Sequence, residues 1–160
     1  PDSEETLRHE AFIEYGNIED DFYQNLIDDI NQSYQIGIDD ATLVLSRKLL
    51  ENLVLDLLRL RYGLDDERRE LFYNTEKGRL RGFSRLLYNL ESNLDDMGYY
   101  SDRMDEDLIR QIERLKGRGD ASAHSIEIDV PEEKIQEFKE EVNPVVEILF
   151  YVKHEIAASK

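Results

Sequence analysis

Apolar residues recur three and four positions apart along almost the whole chain, the spacing that lines one face of a helix, and Gly, Asn, Asp and Pro interrupt them at intervals. The pattern predicts a short first helix over 4–15, stopped at Gly16-Asn17, as an N-terminal extension spanning residues 1–17. A second helix opens at Asp20 or Asp21, carries Phe22, Leu26, Ile27, Ile30 and Tyr34 on one side, and stops near Gly37. Asp39-Asp40 start the longest apolar helix, which runs to about Tyr62 and ends at Gly63. Its apolar positions, among them Leu43, Val44, Leu50, Val54, Leu57 and Leu58, cover a wide arc, which predicts the most buried element.

Residues 64–76 are charged and faintly periodic, reading as one short helix and a loop. An amphipathic run follows with Leu80, Phe83, Leu86, Leu87 and Leu90, then a loop over 93–104 that holds Gly98 and the pair Tyr99-Tyr100. A helix over 105–117 begins with Asp105, Glu106 and Asp107 and ends with Arg114 and Lys116, the polarity that suits the helix dipole. Gly117 and Gly119 are expected to break it, with Asp120 capping a new turn that holds His124. Ile126, Ile128 and Val130 alternate with Glu127 and Asp129 as an extended passage. Pro131-Glu132-Glu133 then open a last helix with Ile135, Phe138, Val142, Val145, Val146, Leu149 and Val152 on its apolar side, kinked at Pro144. With no repeat, low-complexity tract or linker, residues 1–160 read as one all-α domain.

Composition narrows the chemistry. There is no Cys, which excludes disulfides, thiolate metal sites and thiol nucleophiles. No apolar run is long enough to span a bilayer, and the acidic start Pro1-Asp2-Ser3-Glu4-Glu5 is unlike a basic export leader, so the expectation is a cytoplasmic chain without membrane contact. A formal charge of -17 argues at first against a nucleic-acid partner. Its distribution weakens that objection: residues 47–118 carry 15 basic and 15 acidic side chains, so the flanks, with 5 basic and 22 acidic, hold the whole excess. An Asp/Glu-rich, Lys-poor surface also suits a halophilic cytoplasm, whose salt would shorten the reach of repulsion from RNA. Within the neutral middle, Arg103, Arg110, Arg114 and Arg118 recur at helical offsets and form a stripe along one face.

That stripe ends at Arg118-Gly119-Asp120-Ala121-Ser122-Ala123-His124, which joins a permanent forked cation to the side chain best suited to proton transfer near neutral pH. The pairing fits phosphodiester chemistry. Arg47 and Glu51, four apart in an apolar helix, read either as a structural ion pair or as supporting groups that reach the same site. Tyr99 and Tyr100 either stack RNA bases or pack on the protein, and Asp120 either bonds the imidazole or only caps. His9 and His154 read as surface residues. No His/Asp/Glu grouping has metal-ligand spacing, and no phosphate loop or nucleophile elbow is present, so no metal or cofactor is expected.

Two passages together resemble the HEPN family of prokaryotic defence, toxin and RNA-processing proteins: Ala41 to Gly63 with Arg47 and Glu51, and Gly119-Asp120-Ala121-Ser122-Ala123-His124 after an Arg-bearing helix. The likeness covers roughly residues 20–155 and is nearest the branch whose motif reads Gly-Asn-x-Ala-Ala-His. It implies a bundle of four or five helices with short extra ones, pairing as a homodimer whose two Arg-x4-6-His motifs share a cleft. It also implies metal-independent cleavage of single-stranded RNA in antiviral defence or RNA processing, with a partner protein of the same system as a further expectation. Carried over, His124 is the catalytic base and Arg118 the cation. Gly119 stands where a polar residue is usual and Asp120 replaces Asn, which keeps Arg114 and Lys116 beside Arg118 as alternative cations. The expected reaction leaves 2',3'-cyclic phosphate ends, and the alternative is a non-catalytic HEPN module that binds a nucleotide or a partner protein.

Overall fold

Six α-helices, one 3-10 turn at Arg69–Leu71 and one short hairpin form the regular structure of the described residues, so the fold class is all-α, as the periodicity predicts. The structure is a computed structural model that describes residues 7–16, 18–124 and 129–160. The helices are α1 (Asp21–Gln35), α2 (Asp39–Tyr62), α3 (Phe83–Glu91), α4 (Leu94–Met97), α5 (Glu106–His124) and α6 (Glu132–Ala158). Two-residue strands β1 (Tyr73–Asn74) and β2 (Arg79–Leu80) pair antiparallel, with Tyr73 opposite Leu80 and Asn74 opposite Arg79. None of these helices is long and apolar enough to cross a membrane. The chain divides into two compact units, Pro1–Leu49 with Arg114–Pro144 and Leu50–Glu113 with Val145–Lys160, and α2, α5 and α6 contribute to both.

In the first unit, Asp20 caps α1 by accepting from the Phe22 and Tyr23 amides, which the open first turn leaves without helical partners. Tyr23, Leu26, Ile27, Ile30 and Tyr34 form its buried face. Gly37, at φ +82°, makes the left-handed exit that a side chain would resist. The helix expected over 4–15 is absent from its described part: residues 7–16 are irregular. Their main chain bonds elsewhere. Asn31 Oδ1 accepts from the amides of Phe12 (2.9 Å) and Ile13 (2.8 Å), while Asn143 Nδ2 donates to the Phe12 carbonyl and its Oδ1 accepts from the Glu14 amide. Phe12 and Ile13, adjacent in sequence, are both buried, and the Phe12 ring lies 4.9 Å from Tyr34 and 6.0 Å from Phe138. Arg8 fastens the start of this strap, donating to Asp39 (2.5 Å), Glu132 (2.5 Å) and the Tyr34 carbonyl (3.0 Å).

In the second unit, Leu50, Leu53, Val54, Leu57 and Leu58 of α2 are fully buried, as are Leu90, Met97, Ile109, Ile112, Val145, Val146, Leu149, Phe150, Val152 and Ile156. Tyr62 donates to Asp96 Oδ2 (2.6 Å) and Arg61 to its Oδ1 (3.0 Å), which ties the end of α2 to α4. Burial together with that carboxylate raises the Tyr62 phenol well above its ordinary range. Leu80, expected in the amphipathic helix, instead sits in β2 and is exposed. Gly78 at φ +66° closes the hairpin, its amide donating to the Asn74 carbonyl, and α3 starts only at Phe83. The region 93–104 is not all loop, since α4 and successive turns bury Met97 and Met104.

Candidate functional site

The motif residues occupy the end of α5, and the helix does not break where the two glycines predict. Asp105 caps its start, accepting from the Leu108 amide at 2.9 Å, and helical bonding continues through Gly117 and Gly119 to His124. A glycine costs a helix interior only about 1 kcal/mol, which neighbouring contacts can offset. At Gly119 the contact is specific: a Cβ placed there would stand 2.6 Å from Arg47 Cβ and 3.2 Å from its Cγ, so the missing side chain admits α2 to the surface of α5.

Asp120 therefore lies inside a helix and caps nothing. Its Oδ1 accepts from Arg47 Nε and its Oδ2 from Lys116 Nζ (2.7 Å), one turn earlier. Burial alone would raise its pKa, but the bonds from Lys116 and Arg47 outweigh that and hold it below the usual carboxylate range. Arg47 thus has a partner across helices in addition to its i,i+4 spacing to Glu51. The capping role expected for Asp120 is therefore not seen, and the hydrogen bonds of its two carboxylate oxygens go to Arg47 and Lys116.

Helical geometry then sorts the motif into two faces. Lys116, Asp120 and His124 are four apart and share one side of α5, with Arg47 of α2 joined to it through Asp120. Arg114 and Arg118, also four apart, share another. Arg118 and His124 lie six positions apart, about 9 Å along the axis and roughly 120° around it, so the two side chains leave α5 in different directions. His124, the last residue of α5, is exposed. Arg118 is half-buried and donates to Glu137 Oε1 (3.0 Å) and Glu141 Oε2 (3.4 Å) of α6, while Arg114 lies 3.5 Å from Glu141. The Arg118 bond and charge hold Glu137 below its ordinary pKa.

The arginine stripe is shorter than expected. Arg103 precedes α5 in a turn, and Arg110 pairs with Asp107 within its own helix. The two carboxylates that face Arg118 went unread in the sequence, although Glu133, Glu137 and Glu141 recur every fourth position on α6, the signal of one acidic helix face. Tyr99 is 84% exposed and meets Tyr100 edge to face at 5.3 Å, so it does not pack into the core. His9 and His154 are exposed. The extended passage at Ile126 and Ile128 lies outside the described residues. Among the described residues no group of three or more His, Asp or Glu side chains is arranged to hold a metal ion.

The chain matches no protein-family model, and neither the curated proteins nor the solved structures contain a match to it.

Proposed function

We propose that the chain is a metal-independent endoribonuclease of HEPN type that acts as a homodimer on single-stranded RNA, in defence or RNA processing. The observation that carries this reading is His124: an exposed imidazole at the last residue of α5, one turn beyond the Asp120 cluster. Arg118 points from a different quarter of the same helix, so a composite cleft would draw its imidazole and its guanidinium from different copies. In that cleft neutral His124 removes the 2'-OH proton, the ribose oxygen attacks the adjacent phosphorus, and the 5'-oxygen leaves with a proton, giving a 2',3'-cyclic phosphate. Arg118 carries the charge that develops on the phosphorane, a role worth roughly 3 to 4 kcal/mol for comparable donors. DNA, which lacks the 2'-OH, is inert in this scheme.

The test is cleavage of single-stranded RNA in EDTA by the purified chain and by His124→Ala. The variant removes only an exposed side chain, so it should keep full helicity while losing cleavage. Activity that needs a divalent ion, or that persists in the variant, overturns the mechanism.

A second reading, a non-catalytic HEPN module that binds a nucleotide or a partner protein, draws on the ion pairs: Arg118 is held by Glu137 and Glu141, and Asp120 by Arg47 and Lys116. Under it no RNA is cut at any salt concentration, and a nucleotide or protein raises the melting temperature instead.

A further inference from the structure

Beside Arg118, on the same face of α5, lies a cavity of about 360 Å³, within the roughly 300 to 1,000 Å³ typical of small-molecule sites. Its walls are mostly apolar, with Leu43 of α2, Ala121 of α5 and Val130-Pro131 before α6 contributing aliphatic surface. Polar groups stand at few points. Arg118 and Lys134 are cationic, Ser122 offers a hydroxyl, and Asp40 and Asp129 bring carboxylates. Asp40 is distinctive because its Oδ1 is buried yet has no hydrogen-bond partner among the described residues. An acceptor left in that state is costly, and a donor brought by a ligand would recover the loss. Asp40 also sits in the first turn of α2, and a carboxylate offers acceptors but no donor.

A flat ligand with N–H donors on one edge, an acceptor next to them and an anionic tail matches this arrangement. Among the RNA bases guanine alone carries donors at two neighbouring positions, N1–H and N2–H2, with the O6 acceptor adjoining. The carboxylate of Asp40 suits the donors, the Ser122 hydroxyl suits O6, and Arg118 with Lys134 suits the attached phosphate. We infer that this cavity is a guanine-nucleotide pocket in which Asp40 sets base preference. The inference deepens the RNA reading above and rests on it only for the source of the base, which is either a strand or a free nucleotide.

Calorimetric titration with GMP, UMP, AMP and CMP tests the pocket without any scissile bond, so its outcome is independent of the cleavage assay. GMP should bind about tenfold more tightly than UMP. Asp40→Asn should abolish that preference, and Ala121→Trp, at an exposed helical position that lines the cavity, should weaken GMP by about as much while preserving helicity. Equal binding of all four nucleotides, binding of none, or GMP affinity unchanged in Ala121→Trp overturns the pocket, even if His124-dependent cleavage is found. A single-stranded oligonucleotide with one guanine then separates the sources: tighter binding than GMP marks a strand, weaker binding marks the free nucleotide.

Discussion

Gly119 approaches Arg47 so closely that a Cβ on the glycine would stand 2.6 Å from the Cβ of the arginine. The obstruction would be the root of a side chain, which cannot swing aside as a flexible tip can. Gly117, two residues earlier, is exposed and has nothing within 4 Å of the same added atom. Identical substitutions should therefore act in opposite directions. Gly117→Ala should stabilise the chain by about 0.5–1 kcal/mol through helix propensity. Gly119→Ala should destabilise it by about 1–3 kcal/mol, the usual cost of overpacking. Urea denaturation of the two variants decides, and a stabilising Gly119→Ala would mean that α2 and α5 do not meet in this way.

Asp120 makes a prediction about acid. Its pKa is lower in the folded chain than the ordinary value of about 3.9, so its stabilising contribution is complete above that value and is lost as pH falls through the lower, folded one. Stability of the native chain should decline as pH drops below about 4. Asp120→Asn should be less stable at neutral pH and show a shallower decline over the same window. Denaturation midpoints across that range measure it, and parallel curves for the two proteins would count against the cluster.

Asn31 holds the N-terminal strap through both of its side-chain atoms, accepting from the Phe12 and Ile13 amides and donating to the Ile13 carbonyl at 3.2 Å. Asn31→Ala should cost about 1–3 kcal/mol for the polar groups it strands. Hydrogen exchange should accelerate at Phe12 and Ile13 in the variant before it changes within α1.

Arg118 can serve a phosphate only by leaving Glu137 and Glu141. Replacing both by Gln keeps their shape and removes two charges, so RNA should bind about tenfold more tightly to Glu137→Gln/Glu141→Gln. Filter binding at fixed salt reads the effect. Unchanged affinity would show that Arg118 is a structural cation.

The helix count around the site was readable because each signal is local. Asp20, Asp39-Asp40, Gly37 and Gly63 bound α1 and α2 through main-chain bonding within a few residues, and the stretch from Glu132 announces α6 in the same way. The hairpin was harder to see, since a two-residue strand carries no periodicity and Leu80 sits at a spacing that also suits the following helix.

Sequence alone determined that this chain is helical, lacks thiol chemistry and carries one Arg-His motif in a locally neutral middle, because propensity, periodicity and charge are properties of neighbouring residues. Tertiary structure decided where the motif residues sit and what they touch. The continuity of α5 through two glycines, the seat of Asp120 between Arg47 and Lys116, the engagement of Arg118 by α6 and the conversion of residues 7–16 from helix to strap all depend on residues far apart in the chain. Whether a glycine ends a helix or admits a neighbour is settled by what stands opposite it, and that is a fact of packing that no window of sequence contains.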